Sequence, residues 1–205
     1  MRRRQWSHNS SQSAFQTALD GSFTLVNLDA GALDGLPNSY RVEDAGPAAL
    51  FLGLGIDFFN YNAEVRTGQD GQIATPGRDR LILNGTGFGG VIGINFTIGV
   101  NGVGALSNNI DGGRVQIYSG ANFGGAFLGE KQFGPGALFG GLTSDIQILS
   151  ARFTCGFNAD LRCGVYDIQF GTFTQEEEGI PAPANAAIVL VGLAAIAARR
   201  RLTAT

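Results

Sequence analysis

Residues that could perform covalent or metal chemistry are sparse in this chain of 205 residues. Its single histidine, His8, lies in a polar N-terminal stretch, so the rest of the chain has no imidazole to activate a serine or cysteine nucleophile. The 17 Asp and Glu residues could form carboxylate pairs that hydrolyse glycosides, but the sequence singles out no pair. We therefore predict that the protein is not an enzyme and assign no catalytic residue. A glycoside-active enzyme is the third alternative for its function.

Cys155 and Cys163 lie close together, with seven residues between them. In an exported protein this spacing predicts a disulfide, which would stabilise the fold by roughly 2.5 kcal/mol in the chain-entropy model. Two cysteines with no histidine nearby are too few ligands for a zinc site. We expect Cys163 to lie in a loop or a bulge before the last strand.

Four aspartates near predicted turns could supply oxygen ligands to Ca²⁺, namely Asp111, Asp145, Asp160 and Asp167. The alternative is that they are solvated carboxylates at turns, so we assign no metal ligand and no cofactor, and keep Ca²⁺ only as an alternative.

Residues 85–90 match the dinucleotide fingerprint G-x-G-x-x-G and follow a predicted strand. Dinucleotide binding requires a helix next, because the helix N-terminus holds the pyrophosphate. Residues 91–98 are instead rich in β-branched residues and glycine, so we predict a turn between two strands.

The elements that must position these residues are short apolar segments separated by glycine turns. Spacings of about 8 to 12 residues are typical of a sandwich or barrel. Strands are predicted at 23–28, 81–83, 91–98, 102–106, 114–118, 126–130, 147–155 and 165–170, and a short helix at 13–20. The predicted fold class is all-β, a jelly-roll-like two-sheet β-sandwich with a short N-terminal helix and a C-terminal single transmembrane helix.

Alternation predicts which side chains share a face in three strands. Val115 and Ile117 should lie opposite Arg114, Gln116 and Tyr118. Leu149, Ala151, Phe153 and Cys155 should lie opposite Ser150, Arg152 and Thr154. Val165 should lie opposite Tyr166, Ile168 and Phe170. In the strands at 114–118 and 147–155, one face should pack in a core while the other meets water.

Composition excludes some partners. Six of the 14 basic residues are Arg2–Arg4 and Arg199–Arg201, which leaves 8 basic against 17 acidic residues in the rest of the chain. A body this acidic should repel nucleic acid. Gly accounts for 32 residues, more than twice the usual share of about 7%, which favours strands joined by tight turns.

The C-terminal segment has the pattern of a membrane span. Residues 184–198 carry no charge and are followed by Arg199, Arg200 and Arg201, which predict the cytoplasmic end. Counted from Ile180, nineteen residues of helix reach about 28 Å, against a hydrocarbon core of roughly 30 Å. The alternative is an Ala-rich helix buried against a soluble core, but the segment shows no polar face.

Three features in this order, the motif Ile180-Pro181-Ala182-Pro183, the apolar segment and the arginine cluster, resemble the PEP-CTERM sorting signal of exported bacterial proteins. The resemblance implies recognition by an exosortase, a membrane processing enzyme, then removal of the tail and delivery to the cell surface or exopolysaccharide matrix. Residues 100–105 and 167–172 are similar to the glycine-rich β-sandwich proteins that often carry this tail.

The N-terminus lacks one feature expected of such a protein. Residues 5–16 are polar and contain no apolar stretch of about 7 to 15 residues, as a secretory signal peptide requires. We expect an in-frame apolar segment to be encoded upstream of Met1. The alternative is a cytoplasmic protein with a chance apolar tail.

The predicted organisation is a disordered tail at 1–12, a β-sandwich domain at 13–173, an acidic spacer at 174–179 and a sorting signal at 180–205. The main functional hypothesis is a non-enzymatic surface or matrix protein, anchored in the inner membrane before processing and associated with extracellular polysaccharide afterwards. The alternative is a carbohydrate-binding module, with or without Ca²⁺, in which Phe- and Tyr-bearing strands form a stacking platform for sugars.

Overall fold

The structure, a computed structural model, describes residues 6–9, 11–28, 33, 36, 39–42, 44–59, 63–67, 80–84, 91–107, 113–133, 138–155 and 164–173. The described strands are β1 (Trp6–Asn9), β2 (Phe23–Val26), β3 (Ser39–Arg41), β4 (Ile56–Phe58), β5 (Ala63–Thr67), β6 (Arg80–Asn84), β7 (Val91–Ser107), β8 (Gly113–Tyr118), β9 (Phe127–Phe133), β10 (Leu138–Cys155) and β11 (Gly164–Gly171). The described helices are α1 (Gln12–Ala18) and α2 (Ala45–Gly53), with a 3₁₀ turn at Ala121–Phe123. The prediction of a mostly β fold with a short N-terminal helix is confirmed.

The strands form one antiparallel hydrogen-bonded network in the order β3-β5-β6-β11-β7-β10-β8-β9, with β1 on β10, β2 on β11 and β4 on β7. The two longest strands, β7 and β10, have 17 and 18 residues and pair with each other through the network. The sequence predicted two strands, 91–98 and 102–106, in place of β7, because short apolar segments were expected to alternate with glycine turns. Ile98 is 70% exposed, but the strand continues through it.

Two halves of the network share the long strands. The β8 half consists of β4, residues 91–96 of β7, residues 150–155 of β10, β8 and β9; the β11 half consists of residues 102–107 of β7, residues 138–144 of β10 and the other strands. Irregular register between residues 143 and 150 of β10 separates the halves. Apolar side chains of both halves join one core cluster, which includes Ile92, Ile94, Val103, Ala105, Val115, Ile117, Leu142, Ala151, Phe153 and Ile168. The inward face predicted for Val115 and Ile117 is confirmed.

Helix α1 covers the other face of the β11 half. Its N-terminus is capped by Ser11, whose Oγ accepts a hydrogen bond from the Ala14 amide at 3.2 Å. Phe15 and Leu19 are fully buried. A Cβ added at Gly141 would lie 2.6 Å from Phe15 Cδ2, and one at Gly102 would lie 2.7 Å from Leu19 Cδ2. The helix can therefore approach this closely because the strands beneath it carry glycine.

A bulge at Asp167 changes the faces of β11. Asp167 has φ 49°, and the register with β7 shifts across it. Val165, Ile168 and Phe170 consequently all join the core cluster. The prediction that Ile168 and Phe170 lie opposite Val165 is wrong, because one extra residue reverses the alternation after the bulge.

Two further segments differ from expectation. Gly46–Pro47, a pair typical of turns, lies in the first turn of the unpredicted helix α2, where the missing N–H of proline has no helical partner to lose. Part of the segment expected to be a disordered tail, Trp6–Asn9, forms β1 and pairs with β10. Among the described residues no helix is long and apolar enough to cross a membrane, and the predicted transmembrane segment at 184–198 lies outside them.

Candidate functional site

The side of the β8 half that faces away from the core carries polar and aromatic side chains, and we call it the outer face. Because opposite residues of antiparallel strands share a face, the register defines three rows across it. The rows are Asp57, Asn95, Ser150, Tyr118 and Phe127; then Phe59, Gly93, Arg152, Gln116 and Glu130; then Val91, Thr154, Arg114 and Gln132.

The loop of residues 119–126, between β8 and β9, folds over this face in a strained conformation. Asn122 and Phe123 have φ of 54° and 61°, in the left-handed region that non-glycine residues rarely occupy. Asparagine tolerates this region better than most residues, but for Phe123 it costs about 1–2 kcal/mol, so neighbouring contacts must hold the loop.

Two side chains of the sheet hold the loop in place. Asn95 accepts a hydrogen bond from the Asn122 amide at 2.8 Å and donates one to the Asn122 side-chain oxygen at 2.9 Å. Ser150 accepts from the Phe123 amide at 3.0 Å and donates to the Gly120 carbonyl at 2.6 Å. Ser150 is fully buried by these contacts, so the prediction that its face of β10 meets water is wrong at this position.

Aromatic rings form a contiguous row on the outer face. The Phe59 and Phe123 centroids are 4.5 Å apart, those of Phe123 and Tyr118 are 5.6 Å apart, and those of Tyr118 and Phe127 are 5.7 Å apart. Phe127 is 54% exposed, and the other three rings are half-buried. These distances fall within the range of favourable aromatic pairs, and the row presents apolar surface beside polar groups.

Gly93 makes room for two of these rings. A Cβ at Gly93 would lie 2.8 Å from Phe59 Cζ and 2.9 Å from Phe123 Cζ. The rings therefore rest on the backbone of β7, and no larger residue fits beneath them unless the rings move.

Arg152 lies beside the aromatic row and has no anionic partner among the described residues. Its Cζ is 5.7 Å from the centroid of the Phe123 ring, within cation–π distance. Its Nε is shielded from solvent, as is the Oγ1 of Thr154 two residues further along the strand, and neither atom has a hydrogen-bond partner. In the part of the chain that the structure describes, Arg152 forms no hydrogen bond and no ion pair.

Another arginine of the same face is already neutralised. Arg114 Nη1 lies 3.3 Å from Glu130 Oε2, and Gln116 donates to the same oxygen at 2.7 Å. These contacts join β8 to β9 and occupy the carboxylate of Glu130, whereas no described residue neutralises the charge of Arg152.

A cleft elsewhere in the described part of the chain is small and lined by uncharged residues. A cleft of about 210 Å³ lies between the start of β2 and the end of β11, and its lining includes Thr24, Ile98 and Phe170. Binding sites for small molecules usually occupy about 300–1,000 Å³ and contain placed polar groups. The outer face is therefore the stronger candidate.

Several residues predicted to be functional lie outside the described part of the chain. These are Ile180, Pro181, Ala182 and Pro183 of the sorting motif, Arg199, Arg200 and Arg201, Asp111 and Asp160, and Cys163 together with the side chain of Cys155. The disulfide and the sorting motif therefore stay predictions. Residues 85–90 also lie outside, but β7 follows them as a strand, as predicted, where dinucleotide binding needs a helix.

The two described aspartates of the Ca²⁺ hypothesis are not brought together. Asp145 is exposed on β10, and Asp167 is buried in the middle of β11. Strand β7 lies between β10 and β11. Its residue Gly102 is opposite Thr143 of β10 on one side and opposite Gly171, the last residue of β11, on the other. Asp145 is two residues past Thr143 and therefore lies beyond the end of β11. Within the described ranges no group of three or more His, Cys, Asp or Glu residues could hold a metal ion.

Comparisons with known proteins identify no family. No family model matches the sequence, and no curated protein matches it. Among solved structures, the chain is similar to the K2 cleaved adhesin domain of Lys-gingipain, with 12% sequence identity and a TM-score of 0.39 over 82% of this chain and 100% of that one. A similarity at this level does not define a family for the chain.

Proposed function

We propose that the protein is a non-enzymatic surface protein whose outer face binds polysaccharide. The observation that carries the proposal is the row of four aromatic rings beside polar atoms that have no partner among the described residues; one of the rings, that of Phe123, is fixed by the loop of residues 119–126. Sugar rings present apolar C–H faces and polar edges, and sites that recognise such ligands combine aromatic surface with a few fixed polar groups.

Strain supports a binding function for the loop. Two consecutive non-glycine residues in the left-handed region persist only where surrounding contacts hold them, and such residues concentrate at binding sites. The four hydrogen bonds that join Asn95 and Ser150 to residues 120–123 hold the loop that carries Phe123, which reduces the entropy lost when a ligand binds.

Delivery to the surface is supported by the sequence of the tail. The motif at Ile180–Pro183, the apolar segment and the arginines at 199–201 fit an exosortase substrate that is anchored in the inner membrane before processing. The jelly-roll-like two-sheet sandwich and the C-terminal transmembrane helix belong to this proposal. Intact-mass measurement of the cell-associated protein should give a mass that lacks the tail, and a species that still ends at Thr205 would argue against processing.

Polysaccharide binding can be tested with affinity electrophoresis of the full chain through gels that contain neutral or acidic polysaccharides. Retention by at least one polysaccharide is expected. Phe127→Ala should weaken that binding by about two- to tenfold, because an aromatic contact contributes about 0.5–1.5 kcal/mol. Leu52→Ala is the matched control, since Leu52 is 49% exposed on α2, away from the outer face. No retention of the wild type by any polysaccharide would contradict the proposal.

A further inference from the structure

We infer that the outer face selects anionic polysaccharides, with Arg152 as the residue that binds the acidic group. The inference rests on the proposed polysaccharide-binding function and adds the chemical class of the ligand. It starts from the side chain of Arg152, which forms no ion pair and no hydrogen bond with the described part of the chain.

The guanidinium of Arg152 is held in a position suited to a carboxylate. Its Nε is shielded from solvent, whereas its two terminal nitrogens are neither buried nor hydrogen-bonded to the described residues. The Phe123 ring, 5.7 Å from Cζ, lies against the group. The terminal nitrogens can therefore donate two parallel hydrogen bonds to one carboxylate, the geometry in which arginine binds acids best.

Burial of the neighbouring atoms favours this contact. Arg152 Nε and Thr154 Oγ1, at neighbouring outward positions of one strand, are both shielded from water and have no hydrogen-bond partner among the described residues, so the guanidinium is partly desolvated. Shielding also lowers the local dielectric constant, so an ion pair formed at this guanidinium is stronger than one in bulk water.

Local charge favours an anion although the body as a whole is acidic. Glu130 is bonded to Arg114 and Gln116, and Asp57 lies two strands away from Arg152, roughly 9–10 Å across the sheet. At physiological ionic strength, charges further away than about 8 Å are largely screened. Because the aromatic row lies beside Arg152, we expect the anion to belong to a sugar chain whose rings contact those aromatic side chains.

The test compares each polysaccharide with its own neutral form. The probes are polygalacturonate and alginate, each as the free acid and as the methyl ester, and binding of the full chain is measured by calorimetry at 0.15 M salt. We expect the wild type to bind at least one free acid about tenfold or more tightly than the ester. Arg152→Gln should remove the preference, and Arg152→Lys should keep only part of it, because a lysine donates from a point charge.

Arg114→Lys is the matched control for Arg152→Lys, since Arg114 lies on the same face but is paired with Glu130, and a lysine keeps the positive charge beside that carboxylate; this variant should keep the full preference. Each variant is first checked for wild-type stability by urea unfolding, and Arg152→Lys keeps the test informative if Arg152→Gln is unstable. Equal binding of acid and ester by the wild type would overturn the inference and leave the proposed function standing. The inference would also be overturned if Arg152→Gln kept the preference for the free acid. The same holds if the wild type bound poly-L-glutamate, an acidic polymer without sugar rings, as tightly as the acidic polysaccharides. Failure to bind any polysaccharide, neutral or acidic, would contradict both proposals.

Discussion

Substituting Gly93 with alanine tests whether the outer-face rings rest on bare backbone. The new Cβ would lie 2.8 Å from Phe59 Cζ and 2.9 Å from Phe123 Cζ, inside the roughly 3.5–4.0 Å of a normal carbon contact. The rings would have to withdraw by about 1 Å, but hydrogen bonds to Asn95 and Ser150 fix the loop that carries Phe123. Overpacking costs about 1–3 kcal/mol and a lost ring pair about 0.5–1.5 kcal/mol. We expect the free energy of unfolding to fall by about 2–3 kcal/mol.

The assay is urea unfolding of the full chain, with the stability read from the midpoint at constant m-value. Gly53→Ala is the control, because a Cβ there meets nothing within 4 Å in α2, and it should raise the stability by about 0.5–1 kcal/mol. In a background with Phe59→Leu and Phe123→Leu, which removes both Cζ atoms, Gly93→Ala should cost less than about 1 kcal/mol. A loss that is the same in both backgrounds, or no loss at all, would refute the packing described for this face.

Two further substitutions test other parts of the fold. Ser150→Ala should lower the stability by about 2–3 kcal/mol in urea unfolding, because it leaves the Phe123 amide and a loop carbonyl unpaired; Ser119→Ala, which removes one exposed acceptor of the same loop, should cost under about 1 kcal/mol. Similar losses in the free energy of unfolding for the two variants would show that burial of the Ser150 hydrogen bonds does not increase their contribution to stability. Gly141→Ala should displace Phe15, because the new Cβ would lie 2.6 Å from its ring, and should lower the hydrogen-exchange protection of α1 while β8 and β9 keep theirs. Unchanged protection of α1 would contradict the close approach of the helix to the sheet.

The periodicity of apolar residues predicted those elements whose structure follows from the local sequence without tertiary contacts. Ala14, Phe15, Ala18 and Leu19 have helical spacing, and α1 is found there. Strict alternation over 114–118 predicted the buried side chains of β8. In both segments one face is apolar over the full length, so periodicity alone identifies it.

Other features depend on tertiary contacts that a local pattern does not contain. The faces of β11 reverse at Asp167 because the pairing with β7 shifts there, and nothing in the sequence around it marks a bulge. The nine residues of α2 lack a polar face, and Gly46–Pro47 is a common turn pair, so the helix was not predicted.

The outer face was only partly foreseen. A sugar-stacking platform was an alternative at the sequence level, but its residues were not, because Phe59, Phe123 and Arg152 come from segments far apart in the chain. One local signal was present: Ala121-Asn122-Phe123 lies between Gly120 and Gly124, a composition typical of a turn, and it places an aromatic residue in that turn. The missing partner of Arg152 is visible only once the sheet is assembled.

The position of β11 determines when the domain can be completed during synthesis. This strand is the last described one in the chain, yet it lies between β6 and β7 in the network and also pairs with β2, whose Val26 lies opposite Ile168. Contacts between such distant parts of a chain form slowly, since a long loop must close first. Until residue 171 has left the ribosome, β6 is paired only with β5, and residues 102–107 of β7 lack the neighbour that β11 provides. The sheet of the nascent chain therefore stays incompletely paired through most of translation. A polypeptide whose domain is not yet complete can still pass through a narrow channel.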